Sequence, residues 1–181
     1  GGLGGIINLD LPNDEYIILS PHYYNPFNFT HQGAEWVDNS DPWLGTEWND
    51  TDVDRETVEN EFKFALQFSA EHHIPIHAGE FGAYSKADID SRERWTTFLA
   101  RWFEEQGLSW AYWEFNAGFG IYNPETQAYL EPLVDALLHN EMPEPTPVYT
   151  IPIYTSDFSS STDGWSLNTQ GGAAGSLSVE D

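Results

Sequence analysis

Ile74-Pro75-Ile76-His77-Ala78-Gly79-Glu80-Phe81-Gly82 decides how the rest of the chain is read. The run is short and apolar, bounded by proline and glycine, and preceded by a helical pattern, which together mark a buried strand. It ends on a carboxylate. Burying a charge is costly unless partners satisfy it, so a glutamate held at a strand tip is a candidate nucleophile or general base. The structural alternative is a glutamate that caps a helix or pairs with an arginine.

Working outward, three strand-then-helix units are predicted. The first strand is Tyr16-Ile17-Ile18-Leu19-Ser20, continuing through Pro21 to His22, and a long aromatic loop follows. Val58, Phe62, Ala65, Leu66 and Ser69 recur at helical spacing and predict a helix over 52–72. The central strand over 74–78 comes next. Asp90 and Glu93 have the spacing of a capping box, opening a helix whose apolar face is Trp95, Phe98, Leu99, Trp102 and Phe103 and which stops at Gln106-Gly107. The third strand is predicted over 108–113, followed by a loop with Gly118 and Gly120, and a last helix over 129–139.

This alternation implies an α/β fold with a parallel sheet and helical crossovers. The loops that follow the strands are long and the helix-to-strand returns are short, which is the asymmetry of a (β/α)8 TIM barrel with its site at the carboxyl ends of the strands. A doubly wound sheet is the other option, but no glycine-rich phosphate turn follows any strand. Three units cannot close an eight-unit barrel. The expectation is therefore the carboxyl-terminal part of a barrel over 1–139, with the amino-terminal part of that barrel as its missing partner. A proline- and acid-rich linker over 140–148 and the start of an all-β accessory segment over 149–181 complete the expected organisation.

Composition narrows the partners. Thirty acidic residues against six lysines and arginines give a formal charge of −24. Nucleic acid and anionic membrane surfaces are excluded as natural partners, because both require cationic patches. The absence of cysteine removes disulfides and thiolate metal sites, and the histidines show no metal spacing, so neither metal nor cofactor is expected. Eight Trp, nine Tyr and eleven Phe suit a surface that stacks on flat apolar ligands such as sugar rings, although Trp95 and Trp102 read as core.

Strand alternation places His22 with Tyr24, Ile76 and Ala78 with Glu80, and Ala111 with Trp113 and Phe115. Neighbouring strand tips would then gather His22, Tyr24, Glu80 and Trp113. A carboxylate, an imidazole, a phenol and an indole platform suit glycosidic chemistry.

His22-Tyr23-Tyr24-Asn25-Pro26-Phe27, Gly79-Glu80-Phe81-Gly82-Ala83-Tyr84 and Trp110-Ala111-Tyr112-Trp113-Glu114-Phe115, in this order, resemble the last strands of glycoside hydrolase family 5. Phe27-Asn28-Phe29-Thr30-His31-Gln32-Gly33-Ala34-Glu35-Trp36 extends the likeness toward cellulase-type bacterial members. The resemblance implies a retaining endo-β-1,4-glucanase acting on β-glucan polysaccharide or oligosaccharide and secreted from the cell. Glu80 would be the nucleophile, Tyr24 its hydrogen-bond donor, His22 its neighbour and Trp113 the floor under the sugar. Trp36 and Asn25 would line the cleft, with Asn116, Trp43 and Trp48 as further cleft candidates. The family's acid/base is a glutamate after an asparagine on a strand tip. Here Asn60-Glu61 falls in a predicted helix, Asn140-Glu141 opens the linker, and Glu114 is out of phase with Trp113, so the acid/base is expected upstream of this sequence. A non-catalytic sugar-binding fragment, or a mannanase or xylanase of the same fold, are the alternatives.

Overall fold

The computed structural model describes residues 1–148; the expected all-β segment over 149–181 lies outside the described residues. Three strands, β1 (His22–Tyr23), β2 (His77–Phe81) and β3 (Ser109–Tyr112), form a sheet in the order β1-β2-β3, and both pairings are parallel. A short helix α1 (Phe27–Thr30) and the long α2 (Asp52–His72) connect β1 to β2, and α3 (Ile89–Glu105) connects β2 to β3. A hairpin, β4 (Tyr122–Asn123) with β5 (Ala128–Tyr129), precedes the last helix α4 (Glu131–Leu138).

The helices form where their end signals and apolar faces agree. Thr51 and Asp54 make a reciprocal capping box at the start of α2, and His73 ends it in a left-handed conformation. The cap of α3 is Asp88, whose carboxylate accepts from the Ser91 amide at 2.8 Å, and not the Asp90–Glu93 pair read from the sequence. Gly107, at φ +73°, takes the chain out of that helix.

The first strand is shorter than predicted. Tyr16 and Ile18 are exposed, and pairing begins at Leu19, which bridges Ile76. From there the ladder runs through Gly79 N–H to the Pro21 carbonyl at 2.9 Å and reaches the paired residues His22 and Glu80. The hairpin was not predicted; Asn123 Oδ1 accepts from the Glu125 and Thr126 amides and builds its turn, which defers the last helix to Glu131.

The core lies between the sheet and α2 and α3. Phe81, Trp95, Phe98, Leu99 and Phe103 are essentially inaccessible, and Phe81 packs edge-on against Phe103, Trp110 and Tyr112. Backbone bonds tie the loops at the strand tips together: Tyr84 N–H to the Thr30 carbonyl, Ser85 N–H to that of Gly118 and Trp113 N–H to that of Phe81, each at 2.8 Å. Because these loops are bonded to one another, side chains on different loops keep fixed separations.

The segment read as a linker, 140–148, holds no helix or strand, but its bonds run back to the helices. Asn140 Nδ2 donates to Glu93 and to Thr97, Thr146 N–H donates to the Asp50 carbonyl at 2.7 Å, and Arg55 donates to the Pro143 carbonyl at 2.9 Å. Arg55 also holds both oxygens of Asp50, at 2.6 and 2.7 Å, and lies over the Phe98 ring. Asp50 is 2% exposed, so Arg55→Ala leaves a buried carboxylate unpaired as well as freeing the strap. The expected loss is about 3 kcal/mol in urea unfolding, whereas Lys63→Ala on the same helix stays within about 0.5 kcal/mol.

Candidate active site

Glu80 reaches the site through an irregularity. The β2–β3 register shifts between Ala78 and Phe81, so Phe81, three residues after Ala78, joins Ile76 and Ala78 in the core cluster. Glu80 is left outside that cluster, with its side chain 25% exposed. The expected face shared by Ile76, Ala78 and Glu80 is therefore not formed. Without the shift, strict alternation would put Glu80 with Ala78 and turn Phe81 out of the core.

Two side chains converge on one oxygen of Glu80. Tyr24 Oη donates to Oε2 at 2.9 Å, and His22 Nδ1 lies 3.0 Å from the same atom. Among the described residues Oε1 receives no hydrogen bond, leaving that oxygen free to face a ligand. Burial foremost, then the hydrogen bond to Glu80, raises the Tyr24 phenol well above its ordinary range, so it remains a donor across physiological pH. Glycines make room for the approach of the strands: a Cβ on Gly79 would strike Ser20 Oγ, and one on Gly82 would strike the Trp113 carbonyl.

Trp113 follows β3 and is 43% exposed; Trp36 is 59% exposed. Trp36 is held on its lower side by Tyr84, edge-on at 4.8 Å, and by Phe119 at 6.2 Å. Its neighbour Glu35 accepts from Lys86 Nζ at 2.7 Å and Tyr84 Oη at 2.8 Å; these bonds, Lys86 first, pull the Glu35 carboxyl down to about 2. Phe119 escaped the sequence reading. It is buried and touches the rings of Tyr24, His31, Trp36 and Tyr84. Arg92, itself 3% exposed, donates to the Phe119 carbonyl at 3.2 Å. An aromatic residue between the loop glycines Gly118 and Gly120 was the available signal.

The other candidates divide. Asn25 is exposed, but its amide is committed to both oxygens of Glu61, at 3.0 Å each. Asn116 is exposed, and its side chain has no hydrogen-bond partner among the described residues. Trp43 is half-buried and meets Phe27 edge-on. Trp48 is a correction: it is 2% exposed and stacks on Phe98 at 5.6 Å, so it belongs to the core and not to a cleft. Glu114 accepts from the Phe119 amide at 3.4 Å.

His31 sits behind Tyr24. It is 8% exposed, stacks on Phe27 at 4.0 Å and faces the edges of Tyr24 and Phe119. Thr30 Oγ1 donates its one hydrogen to the Tyr24 carbonyl at 2.5 Å, so it accepts from His31 Nδ1 at 2.9 Å. Burial lowers the His31 pKa from 6.5 to about 4. Between those values the unfolded chain binds a proton that the folded chain refuses, so the His31 contribution is fully present above pH 6.5 and is lost as pH falls toward 4. The contribution is at most about 3 kcal/mol. Urea unfolding at pH 7 and at pH 4.5 should show a smaller acid-induced loss for His31→Asn than for the parent chain.

The geometry has counterparts in known proteins. The family model described as cellulase, glycosyl hydrolase family 5, matches residues 4–118. Endoglucanase H of Acetivibrio thermocellus is 33% identical over 141 residues, which are 74% of this chain and 14% of that protein. Endoglucanase C of the same organism is 28% identical over 155 residues, covering 72% and 45%. Endoglucanase Cel5A of Thermotoga maritima, solved with cellobiose, superposes with a TM-score of 0.73 at 44% identity over 76% of this chain and 45% of that one. The same Cel5A solved with mannotriose gives the same figures. The chain thus spans less than half the length of these relatives. With three parallel strands in the expected order, a carboxylate at the tip of β2 and a match over most of the described residues, the chain belongs to glycoside hydrolase family 5.

Proposed function

We propose that the site is the nucleophile half of a retaining endo-β-1,4-glucanase. The observation that carries the reading is the Glu80 carboxylate, which accepts from Tyr24 on Oε2 beside His22 and receives no hydrogen bond on Oε1 among the described residues. In this mechanism Oε1 attacks the anomeric carbon as the glycosidic bond breaks, giving a glycosyl ester on Glu80. The departing oxygen takes a proton from a general acid. Water, deprotonated by the conjugate base of that acid, then attacks the anomeric carbon and releases the sugar and the free carboxylate. Retention requires the two carboxyl groups to stand about 5 Å apart. Glu61 and Glu114 are engaged elsewhere, so the acid/base is assigned to a part of the barrel outside residues 1–148.

Tyr24 holds the carboxylate in its attacking orientation, and its phenol stays protonated because burial and the Glu80 contact raise it. Trp113, which follows β3, and Trp36, which packs on Tyr84 and Phe119, are exposed indoles and provide the stacking faces for sugar rings. The substrate class is a β-1,4-linked glucan, supported by the endoglucanase relatives; β-mannan is the second reading, supported by the Cel5A neighbour solved with mannotriose. A polymeric substrate places the work outside the cell. Without the acid/base the same surface would bind oligosaccharide and turn over only substrates whose leaving group needs no protonation.

An aryl β-cellobioside with an acidic phenol as leaving group meets that condition. The folded chain should release the phenol slowly, and Glu80→Gln should lower the rate by about 10³-fold or more while the chain stays folded. No release by a folded chain, or equal release by the variant, would overturn the assignment.

A further inference from the structure

Glu61 stands on the middle of α2, a helix whose other glutamates in this stretch, Glu56 and Glu59, are exposed. It is turned instead toward the tip of β1. Tyr23 Oη donates to its Oε2 at 2.7 Å, and Asn25 Nδ2 lies 3.0 Å from both of its oxygens. The two residues that reach it are those immediately before and after Tyr24. The same tripeptide is fixed from α3 as well: the Tyr23 ring, 2% exposed, stacks on Trp95 and meets Phe62, and the Asn25 carbonyl accepts from Trp95 Nε1 at 3.1 Å. Tyr24 itself has no hydrogen bond to α2 or α3; its hydrogen bonds are from the Thr30 hydroxyl to its carbonyl and from its phenol to Glu80, and its ring meets those of His31 and Phe119.

We infer that Glu61 is a positioning residue for the Tyr24–Glu80 hydrogen bond, acting through Tyr23 and Asn25. Three donor contacts converge on one group, and only a carboxylate offers acceptors on both atoms. A glutamine would keep one acceptor, so only one neighbour could go on donating to it: its N–H would face either the Asn25 amide, donor against donor, or the Tyr23 hydroxyl, which would have to turn from donor to acceptor. The hydroxyl that orients Glu80 is carried on a side chain at a strand end, where a small backbone rotation moves the phenol by more than the tolerance of a hydrogen bond. Holding the residues on both sides of it from one helix position removes that freedom. The role differs from that of an acid/base: the oxygens of Glu61 are taken up by groups of this chain.

The inference deepens the reading of Glu80 as nucleophile and rests on it for its catalytic meaning. Its test reads the hydrogen bond directly and needs no turnover, so a failure here and a failure of that reading are separate results. 3-Fluorotyrosine placed at position 24 of the full chain reports the Tyr24–Glu80 contact by ¹⁹F NMR, with Glu80→Gln as the reference for a perturbed bond. In Glu61→Gln the resonance should broaden or move most of the way toward that reference, while circular dichroism and cooperative melting are retained. Asn25→Ala, which cuts one exposed contact, should produce the same change in smaller degree, and it serves as the test if Glu61→Gln does not fold. Lys63→Ala on the same helix should leave the resonance in place. An unchanged resonance in a folded Glu61→Gln or Asn25→Ala chain would overturn the inference.

Discussion

The structure turns on one carboxylate engaged through one of its oxygens. Glu80 Oε2 receives Tyr24 and lies against His22 Nδ1, so its partial desolvation is compensated and its orientation is set. That arrangement requires β1 and β2 to be adjacent and parallel with His22 opposite Glu80. It also requires the register shift between Ala78 and Phe81, which lets Phe81 enter the core while Glu80 stays out. Any change that restores regular pleating in β2 would exchange the two, because successive residues of a strand face opposite sides. Aromatic packing of Phe81 against α3 and β3 opposes such a slip.

The aromatic residues serve two purposes that composition alone does not separate. One set, including Trp48, Trp95 and Trp102, is inaccessible or nearly so; Trp95 packs between sheet and α3, and Trp48 and Trp102 pack on the helices. A second set lies in the loops at the strand tips, with Phe119 at its centre and Trp36 outermost. Backbone bonds among these loops, and the buried Arg92 that donates to the Phe119 carbonyl, tie the second set together. An exposed indole so held loses little rotational freedom on meeting a sugar ring, which favours binding.

Much of this was legible from residue order, and the failures have physical causes. The 3.6-residue periodicity of 52–72 revealed α2, and the structure adds the Thr51–Asp54 box and the left-handed His73 at its two ends. His22, Tyr24 and Glu80 were drawn together by the order of strands alone. The phase of Glu80 was misjudged, since a bulge is set by packing on both sides of the strand and leaves no periodic trace. Tyr16 and Ile18 look like strand residues but find no partner among the described residues. Trp48 looked like a cleft residue because its neighbours are polar; its contact with Phe98 lies far along the chain. Helix end signals compete locally, and Asp88 prevailed over Asp90 by two residues.

The most direct measurement is the site of covalent trapping. A 2-deoxy-2-fluoro-β-cellobioside with an acidic leaving group slows hydrolysis of the glycosyl ester more than it needs acid assistance for its formation. After incubation with the folded chain, mass spectrometry of the peptides should find one added glycosyl unit on the fragment containing Glu80, and none in Glu80→Gln. Labelling of Glu61 or Glu114 instead, or an unlabelled Glu80 in a folded chain, would contradict the account.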